Sequence, residues 1–242
     1  MIQEINIYHC RVCQSANIVR NGTNKCGNPQ YHCKDCGAYR VLEPKHKYTE
    51  DKRGTILRSY KERSSLRGLE RIFYVSRQTV SNWIKEISQE LPDIKDTLLP
   101  SQKNDILELD EMWSFVRKKK RKRWLWTAIC RRTRQIVAFV IGDRSEKTCR
   151  RLYNRIPKNY KHCRTFSDFW ETYQNVFPKK THQSVGKETG QTSHMERWYN
   201  TLRQHVGRFV RKTLSFSKSD FYHYSVTNWY VVDYNLTSSL TT

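Results

Sequence analysis

The chain has 242 residues, 37% of them hydrophobic, and carries 45 Lys and Arg against 23 Asp and Glu, for a formal net charge of +22. Its apolar runs fall short of the roughly 20 residues that a membrane helix needs, and its first residues lack the regions of a signal peptide, so a membrane or secreted protein is excluded and we expect a cytoplasmic one. Both halves carry the basic excess, which favours nucleic acid as the partner over a merely basic surface.

The first segment, residues 1–48, contains two Cys-x-x-Cys pairs, formed by Cys10, Cys13, Cys33 and Cys36. This spacing lets both sulfurs of each pair turn toward one ion, and four thiolates make a closed, structural Zn²⁺ site. The stretch between the pairs is rich in turn-forming residues, so metal binding would supply much of the folding energy. Two disulfides are the alternative, which no secretion signal supports. Three other residues are alternative ligands: Cys26, His9 and His32.

Residues 49–91 predict a helix-turn-helix domain. Thr49 followed by two acids is typical of a helix start. Leu66, Leu69 and Ile72 are expected to line the next helix, and Ser76 to cap the third. An ordinary helical hairpin has the same spacing and is the alternative. Side chains that can read base edges and phosphates in a major groove lie at the start of the third helix: Arg77, Gln78, Thr79, Ser81 and Asn82.

Residues 92–104 contain two prolines and are predicted to be a linker. A domain over 105–242 follows, in which three strand-like runs with short connections predict an antiparallel meander. A helix over 147–155, a short strand ending at Asp168, a helix over 169–177, a short strand near 181–185 and a helix over 194–210 come next. The basic run Arg117–Arg123 is expected to bind DNA phosphates, with a solvated hairpin turn as the alternative; its central residues are Lys118, Lys119 and Lys120.

Acidic residues are concentrated in the first of these strands, although the chain is strongly basic. Alternation places Glu108 and Asp110 on one face, where a carboxylate among apolar neighbours costs free energy unless it is paired or binds a cation. Convergence of Asp110 with Asp168 and with Glu196 on the last helix would suit Mg²⁺ or Mn²⁺ and phosphodiester chemistry. The rivals for Asp110 and Asp168 are Glu108, Glu111, Asp143 and Glu171.

Three stretches, LELDEMWSFV, TFSDFW and HMERWYNTLRQHVGRFVRKTLSFSKS, resemble the DDE transposases of the insertion element one family, the InsA–InsB type. The order of parts also fits, and the resemblance covers roughly residues 8–235. It implies a multidomain chain of the α+β and α/β classes, with a zinc knuckle, a helix-turn-helix and a ribonuclease-H-like mixed-sheet catalytic domain. The helix-turn-helix would recognise the terminal inverted repeats of the element.

The same resemblance assigns roles to individual residues. Asp110, Asp168 and Glu196 match the catalytic triad, which would bind Mg²⁺ or Mn²⁺. Arg203 matches the basic position that contacts DNA near the active site, and Asn200 would orient the substrate or Glu196. These three helix residues, 196, 200 and 203, share a face.

The function implied is an insertion-sequence transposase that binds terminal inverted repeats and catalyses metal-dependent DNA cleavage and strand transfer. Two DNA ends must be held together, so we expect a homodimer or higher oligomer on double-stranded DNA, with no membrane partner. The alternatives are a zinc and helix-turn-helix regulator with a decayed catalytic domain, and a nuclease of the same fold that cuts without joining.

Overall fold

The structure, a computed structural model, describes residues 7–25, 27–42, 48–210 and 212–238. It divides into two compact units, Met1–Arg53 and Gly54–Thr242. In the described part of the chain, no helix combines the length and the hydropathy needed to cross a membrane.

The first unit contains an antiparallel sheet of three short strands, in the order β1 (Ile18–Thr23), β2 (Pro29–Cys33) and β3 (Tyr39–Arg40). Gly27 has a φ of 75° in the turn between β1 and β2, a conformation that a side chain would strain. Among the described residues up to Arg53, only Cys10 and Cys33 are buried. An apolar core therefore cannot hold this unit together, which is consistent with a metal-dependent fold.

Three helices follow: α1 (Glu50–Lys61), α2 (Leu66–Phe73) and α3 (Arg77–Glu90). The Ser65 hydroxyl accepts a hydrogen bond from the Gly68 amide at 2.9 Å, and the Ser76 hydroxyl accepts one from the Thr79 amide at 3.0 Å. The predicted Ser76 cap is therefore confirmed. Tyr74, with a φ of 53°, ends α2 in the left-handed conformation and turns the chain into α3.

The prediction that Ile72 lies in the core of these helices is wrong, because its side chain is 64% exposed. The inward stripe of α2 runs through Leu66, Leu69 and Phe73 instead, of which Leu69 is fully buried. Residues 66, 69 and 73 follow the i, i+3, i+7 spacing, which leaves position 72 off the stripe.

Residues 92–104, predicted to be a linker, include a 3-10 helix at Ile94–Thr97 and are bonded to the second unit. The Gln135 side chain donates to the Thr97 carbonyl at 2.8 Å and accepts from the Leu99 amide at 2.9 Å. Asn235 donates to the Thr97 hydroxyl at 2.9 Å. This segment therefore packs as part of the second unit.

The second unit contains a five-stranded mixed sheet in the order β6-β5-β4-β7-β8. Its strands are β4 (Ile106–Phe115), β5 (Lys122–Cys130), β6 (Ile136–Gly142), β7 (Arg164–Ser167) and β8 (His182–Ser184). Strands β4, β5 and β6 are antiparallel, which confirms the predicted meander, whereas β7 is parallel to β4 and β8 to β7. The fold class of this unit is therefore mixed α/β.

Four helices pack on the sheet: α4 (Glu146–Arg155), α5 (Glu171–Val176), α6 (Ser193–His205) and α7 (Asp220–Ser238). Leu107 and Leu109 on β4 share an apolar cluster with Cys149 and Leu152 of α4. Glu108, between those leucines, contacts the start of α6. Because side chains alternate along a strand, α4 and α6 lie on opposite faces of the sheet. The sequence predicted no helix over 220–238.

Candidate active site and metal centre

The four cysteines of the two Cys-x-x-Cys pairs come together as predicted, with sulfur atoms all within 4.8 Å of one another. Cys10 Sγ lies 3.6 Å from Cys36 Sγ, and Cys13 Sγ lies 3.6 Å from Cys33 Sγ. These distances exceed a disulfide bond of about 2.05 Å. They are close to the edge of about 3.8 Å of a tetrahedron with zinc–sulfur bonds of about 2.3 Å. The donor set therefore fits Zn²⁺.

Polar contacts hold the two cysteine pairs in register. Asp35 accepts a hydrogen bond from Asn17 Nδ2 at 2.7 Å and another from the Ser15 hydroxyl, and these bonds lower its pKa. Backbone amides of Cys13 and Val12 donate to the sulfur of Cys10 and lower its pKa to about 6, whereas the adjacent sulfurs raise the pKa of Cys13 to about 12 and that of Cys36 is also raised.

The alternative ligands do not join this group. His9 and His32 lie outside the cluster, and the His32 ring stacks on Tyr39 at 4.3 Å. Cys26 lies outside the described residues.

The five residues predicted to contact DNA lie in the first turns of α3, where Arg77, Gln78 and Asn82 are exposed. Arg77 Nε lies 3.1 Å from Glu70 Oε2, and Gln78 donates to Asn82 at 2.8 Å. The hydroxyls of Ser81 and Thr79 bond to the carbonyl of Arg77 and to Ser76, respectively. This polar surface would have to exchange its internal hydrogen bonds for contacts with DNA.

The strand register brings Asp110 and Asp168 to neighbouring positions. In the parallel pair of β4 and β7, Glu108 lies opposite Phe166, so two further residues along each chain place Asp110 beside Asp168. Burial, together with the nearby carboxylates of Glu111, Asp168 and Glu196, raises the pKa of Asp110 to about 7. The three acids predicted as a triad are therefore close enough to interact.

The acids form a looser group than the cysteines, which alone among the described residues have donor atoms all within 4.8 Å. Asp168 is half-buried and accepts a hydrogen bond from the Trp170 amide at 3.1 Å, whereas Glu196 is exposed in the first turn of α6. A divalent cation that binds all three carboxylates would draw this looser group together.

Tyr199, which follows Glu196 on α6, joins this helix to β4. The buried Tyr199 hydroxyl donates to the Asp110 carbonyl at 2.8 Å. Asn200 lies one turn and Arg203 two turns beyond Glu196. Arg203 Nη1 lies 3.4 Å from Asn200 Oδ1. The structure thus places Asn200 and Arg203 on the predicted face of the helix.

Glu108, a rival of Asp110, is fully buried and belongs to a different arrangement. Its carboxylate accepts from the backbone amides of His194 and Met195 at 3.0 and 3.1 Å and from Arg131 Nε at 2.9 Å. Burial nevertheless raises the pKa of Glu108. It therefore caps the start of α6, the helix that carries Glu196.

Glu111, the other rival on β4, faces the opposite side of the sheet. It accepts from Arg144 Nη2 at 2.6 Å and from the Tyr173 hydroxyl at 2.8 Å, although burial raises its pKa. The guanidinium of Arg144 stacks on Trp170 at 3.9 Å and on Trp124 at 4.7 Å. The sequence analysis missed this structural role of Glu111. The available signal was its position next to Asp110, which places its side chain on the other face of the strand.

The remaining rivals are Asp143 and Glu171. Asp143 accepts hydrogen bonds from the hydroxyls of Ser145 and Thr148 at 2.5 Å each, which lower its pKa and fix the start of α4. Glu171 is exposed in the first turn of α5.

The basic run forms the hairpin between β4 and β5. Arg121 and Arg123 pair with Asp220, and Arg117 Nε donates to the Lys218 carbonyl at 2.9 Å. The three central residues stay exposed at the tip: Lys118, Lys119 and Lys120.

Comparison with known proteins places the second unit in a family. A family model described as IS1 transposase matches residues 105–235. Insertion element iso-IS1n protein InsB of Shigella dysenteriae is 39% identical over 127 residues, which cover 52% of this chain and 93% of that protein. Insertion element IS1 protein InsB of Shigella flexneri is 37% identical over 124 residues, which cover 51% of this chain and 92% of that protein. Insertion element IS1 4 protein InsB of Escherichia coli (strain K12) is 36% identical over 124 residues, which cover 51% of this chain and 72% of that protein.

These similarities define a protein of bacterial insertion elements, matched from the first residue of the predicted catalytic domain onward. The chain belongs to the IS1 transposase family.

Proposed function

We propose that this insertion-sequence transposase cleaves and joins DNA with Asp110, Asp168 and Glu196 as its catalytic triad. The observation that carries the proposal is the mutual approach of these acids: the register of β4 and β7 places Asp110 beside Asp168, and both Asp168 and Glu196 are close enough to raise the pKa of Asp110. If β4 is counted as the first strand, the sheet order β6-β5-β4-β7-β8 becomes 3-2-1-4-5. The first three strands are antiparallel and the last two are parallel to the first, which supports a ribonuclease-H-like fold. In that fold the acids sit on the first strand, after the fourth and on a later helix, as they do here.

The triad would hold Mg²⁺ or Mn²⁺, since hard carboxylate oxygens are the ligands these ions prefer. The bound ions would supply activation of the attacking oxygen and stabilisation of the leaving oxygen at a phosphodiester. Asp110 and Asp168 are fixed by backbone amides of Glu111 and Trp170, respectively. Glu196 lies in the first turn of α6, and its exposed carboxylate would complete the ligand set. Arg203 would contact DNA near the site, and Asn200 would orient the substrate or Glu196.

The reaction proceeds in two transfers. Water attacks a phosphodiester at the end of the element, and the strand leaves with a free 3′ hydroxyl. That hydroxyl then attacks a phosphodiester of the target. The new phosphodiester joins the element to one part of the target strand, and the other part leaves with a free 3′ hydroxyl. No covalent link between protein and DNA is needed. In each transfer the attacking oxygen loses a proton to solvent, and the departing 3′ oxygen takes one up.

Binding of double-stranded DNA would be shared among the predicted domains, 1–48, 49–91 and 105–242. The helix-turn-helix formed by α2 and α3 would recognise the terminal inverted repeats with the polar residues at the start of α3. Zn²⁺ would stabilise the first domain. The exposed lysines at the β4–β5 hairpin would bind backbone phosphates of element or target. A homodimer or higher oligomer would hold two ends together in the cytoplasm.

The test is a cleavage and joining assay on DNA that carries the inverted repeat of the element, with and without Mg²⁺. Asp110→Asn, Asp168→Asn and Glu196→Gln should each abolish cleavage and retain DNA binding. Glu171→Gln, the matched control on an exposed acid, should retain both. Cleavage that survives in one triad variant would remove that residue from the triad.

The same assay separates the other candidate functions. Specific DNA binding without Mg²⁺-dependent cleavage in the wild-type protein would indicate a regulator with a decayed catalytic domain. Cleavage without joined products would indicate a nuclease. Inverted repeats on both sides of the gene, bounded by short direct repeats, would support the transposase.

A further inference from the structure

A cavity of about 310 Å³ lies on the side of α6 that faces away from Glu196. Residues 193, 194, 197, 198 and 201 of this helix line it, whereas residues 196, 200 and 203 share the other face. Residues of the β5–β6 turn and of α7 complete the wall, and the polar lining residues are Arg134, Ser193, His194, Arg197, Thr201 and Tyr234.

The charge of this cavity is positive, because its lining includes two arginines and no acid. In the described part of the chain, neither Arg134 nor Arg197 has a side-chain hydrogen bond or an ion pair within 4.0 Å. Glu108 on β4, whose carboxylate lies close enough to Arg134 to interact with it, is already bonded to Arg131, to His194 and to the amides of α6. Two guanidinium forks therefore face the same space with their donors available.

A buried aromatic side chain lies at the wall of this cavity. The indole Nε1 of Trp198 has no hydrogen-bond partner among the described residues, although the side chain is only 2% exposed. Trp198 lines the cavity, but Nε1 itself has almost no accessible surface, so an occupant would contact other atoms of this side chain.

We propose that this cavity binds a phosphate group of a nucleotide, held by Arg134 and Arg197. Planar guanidinium groups match phosphate oxygens in pairs, and the hydroxyls of Ser193 and Thr201 add neutral donors. The volume is at the lower end of the range for small-ligand pockets, about 300–1,000 Å³, and suits a phosphate with its sugar. The helix diameter of about 10–12 Å separates this phosphate from the acids on the far face.

The phosphate can belong to a DNA strand or to a free nucleotide, and binding measurements distinguish the two. A fluorescently labelled single strand of about twelve nucleotides and adenosine monophosphate are each titrated into the full chain. The proteins are the wild type, Arg134→Gln, Arg197→Gln and Arg150→Gln. Arg150 is exposed and pairs with Glu146 on α4, so its loss changes the net charge equally outside the cavity.

We expect each cavity variant to bind its ligand about tenfold more weakly or worse, the usual effect of losing hydrogen bonds to a charged group. Arg150→Gln should stay within about twofold of the wild type. If the cavity variants lose affinity for the single strand alone, the bound phosphate belongs to DNA. If they lose affinity for adenosine monophosphate as well, the ligand is a free nucleotide. Equal affinities of Arg197→Gln and Arg150→Gln for both probes would overturn the proposal.

Nuclear magnetic resonance gives a second reading that does not depend on the arginine variants. Each of the seven tryptophans contributes one indole N–H group, and the Trp198→Phe variant assigns the signal of Trp198. Added ligand should shift the signal that Trp198→Phe removes, and an unchanged signal at saturating ligand would contradict the assignment. Binding here is independent of the proposed cleavage chemistry: Asp110→Asn should abolish cleavage and leave this affinity unchanged.

Discussion

Glu108 and His194 are joined twice, because one carboxylate oxygen accepts the His194 amide at 3.0 Å and the other lies 2.6 Å from His194 Nδ1. This pair connects the central strand β4 to the first turn of α6, two residues before Glu196. The same strand carries Asp110 two residues later. The spacing between two of the proposed catalytic acids therefore depends on a buried third acid.

Glu108→Gln should lower the free energy of unfolding by about 1.5–3 kcal/mol, since the amide nitrogen of Gln cannot accept the hydrogen bonds that both carboxylate oxygens receive from Arg131 and from the start of α6. Cleavage should fall by about tenfold or more because Glu196 is then less well positioned. Urea unfolding and the cleavage assay measure the two effects.

Glu146→Gln is the matched control for Glu108. Glu146 forms an exposed i, i+4 pair with Arg150, which is usually worth less than about 0.5 kcal/mol. A Glu108→Gln protein as stable and as active as the Glu146→Gln protein would show that the buried carboxylate does not position α6.

Arg144→Lys should reduce cleavage by about tenfold or more and raise the Mg²⁺ concentration that gives half-maximal rate. Lysine keeps the charge near Glu111 but loses the flat guanidinium that stacks on Trp170, whose amide holds Asp168. Cleavage rates measured over a Mg²⁺ series test this. Arg150→Lys is the control, and a shift in rate alone, without a shift in the Mg²⁺ dependence, would argue against positioning of Asp168.

The sequence predicted the parts of the second unit whose pattern is local. Short turns between three apolar runs fix the antiparallel meander, and regular spacing fixes α6 as far as His205. Alternation also placed Glu108 and Asp110 on one face. It could not show which acid was free to act, because the partners of Glu108 and Glu111 come from distant segments.

Helix α7 shows why another part escaped prediction. Its residues are mostly β-branched, aromatic or polar, and such residues have modest helix propensity. Tertiary contacts stabilise it instead. Buried Asn235 bonds the amide and carbonyl of Ile136 at 2.7 and 3.0 Å, and buried His223 lies 2.7 Å from Ser217 Oγ. No periodicity in the sequence reports such pairing.

The cysteine cluster should bind one Zn²⁺ per chain, and Cys33→Ser should lose it together with binding of the inverted repeat. In the described residues of the first unit only Cys10 and Cys33 are buried, so little else stabilises its fold. Zinc content and DNA binding after gel filtration measure both effects. Cys163→Ala, a buried cysteine of the second unit, should keep its zinc. A Cys33→Ser protein with unchanged zinc and DNA affinity would exclude the site.

Asp110→Asn should stabilise the metal-free protein at pH 8 more than at pH 4. Burial and neighbouring acids raise the pKa of Asp110 to about 7, from an unfolded-state value of about 3.9. Below pH 4 the carboxyl is protonated in both states and costs nothing. Between pH 4 and 7 only the unfolded state ionises, so stability falls as pH rises, by up to about 4 kcal/mol, and stays lowered above pH 7.

Thermal or urea unfolding in a chelator, from pH 4 to pH 8, measures this slope. The difference between Asp110→Asn and the wild type should grow with pH and level off above 7. Added Mg²⁺ should stabilise the wild type at pH 8 and have little effect on the variant, because a cation favours the ionised carboxylate. Asp93→Asn, on an exposed acid whose side chain lies 3.3 Å from Lys95, controls for charge. Parallel pH curves for Asp110→Asn and the wild type would mean that Asp110 does not carry the unfavourable buried charge from which the metal site was inferred.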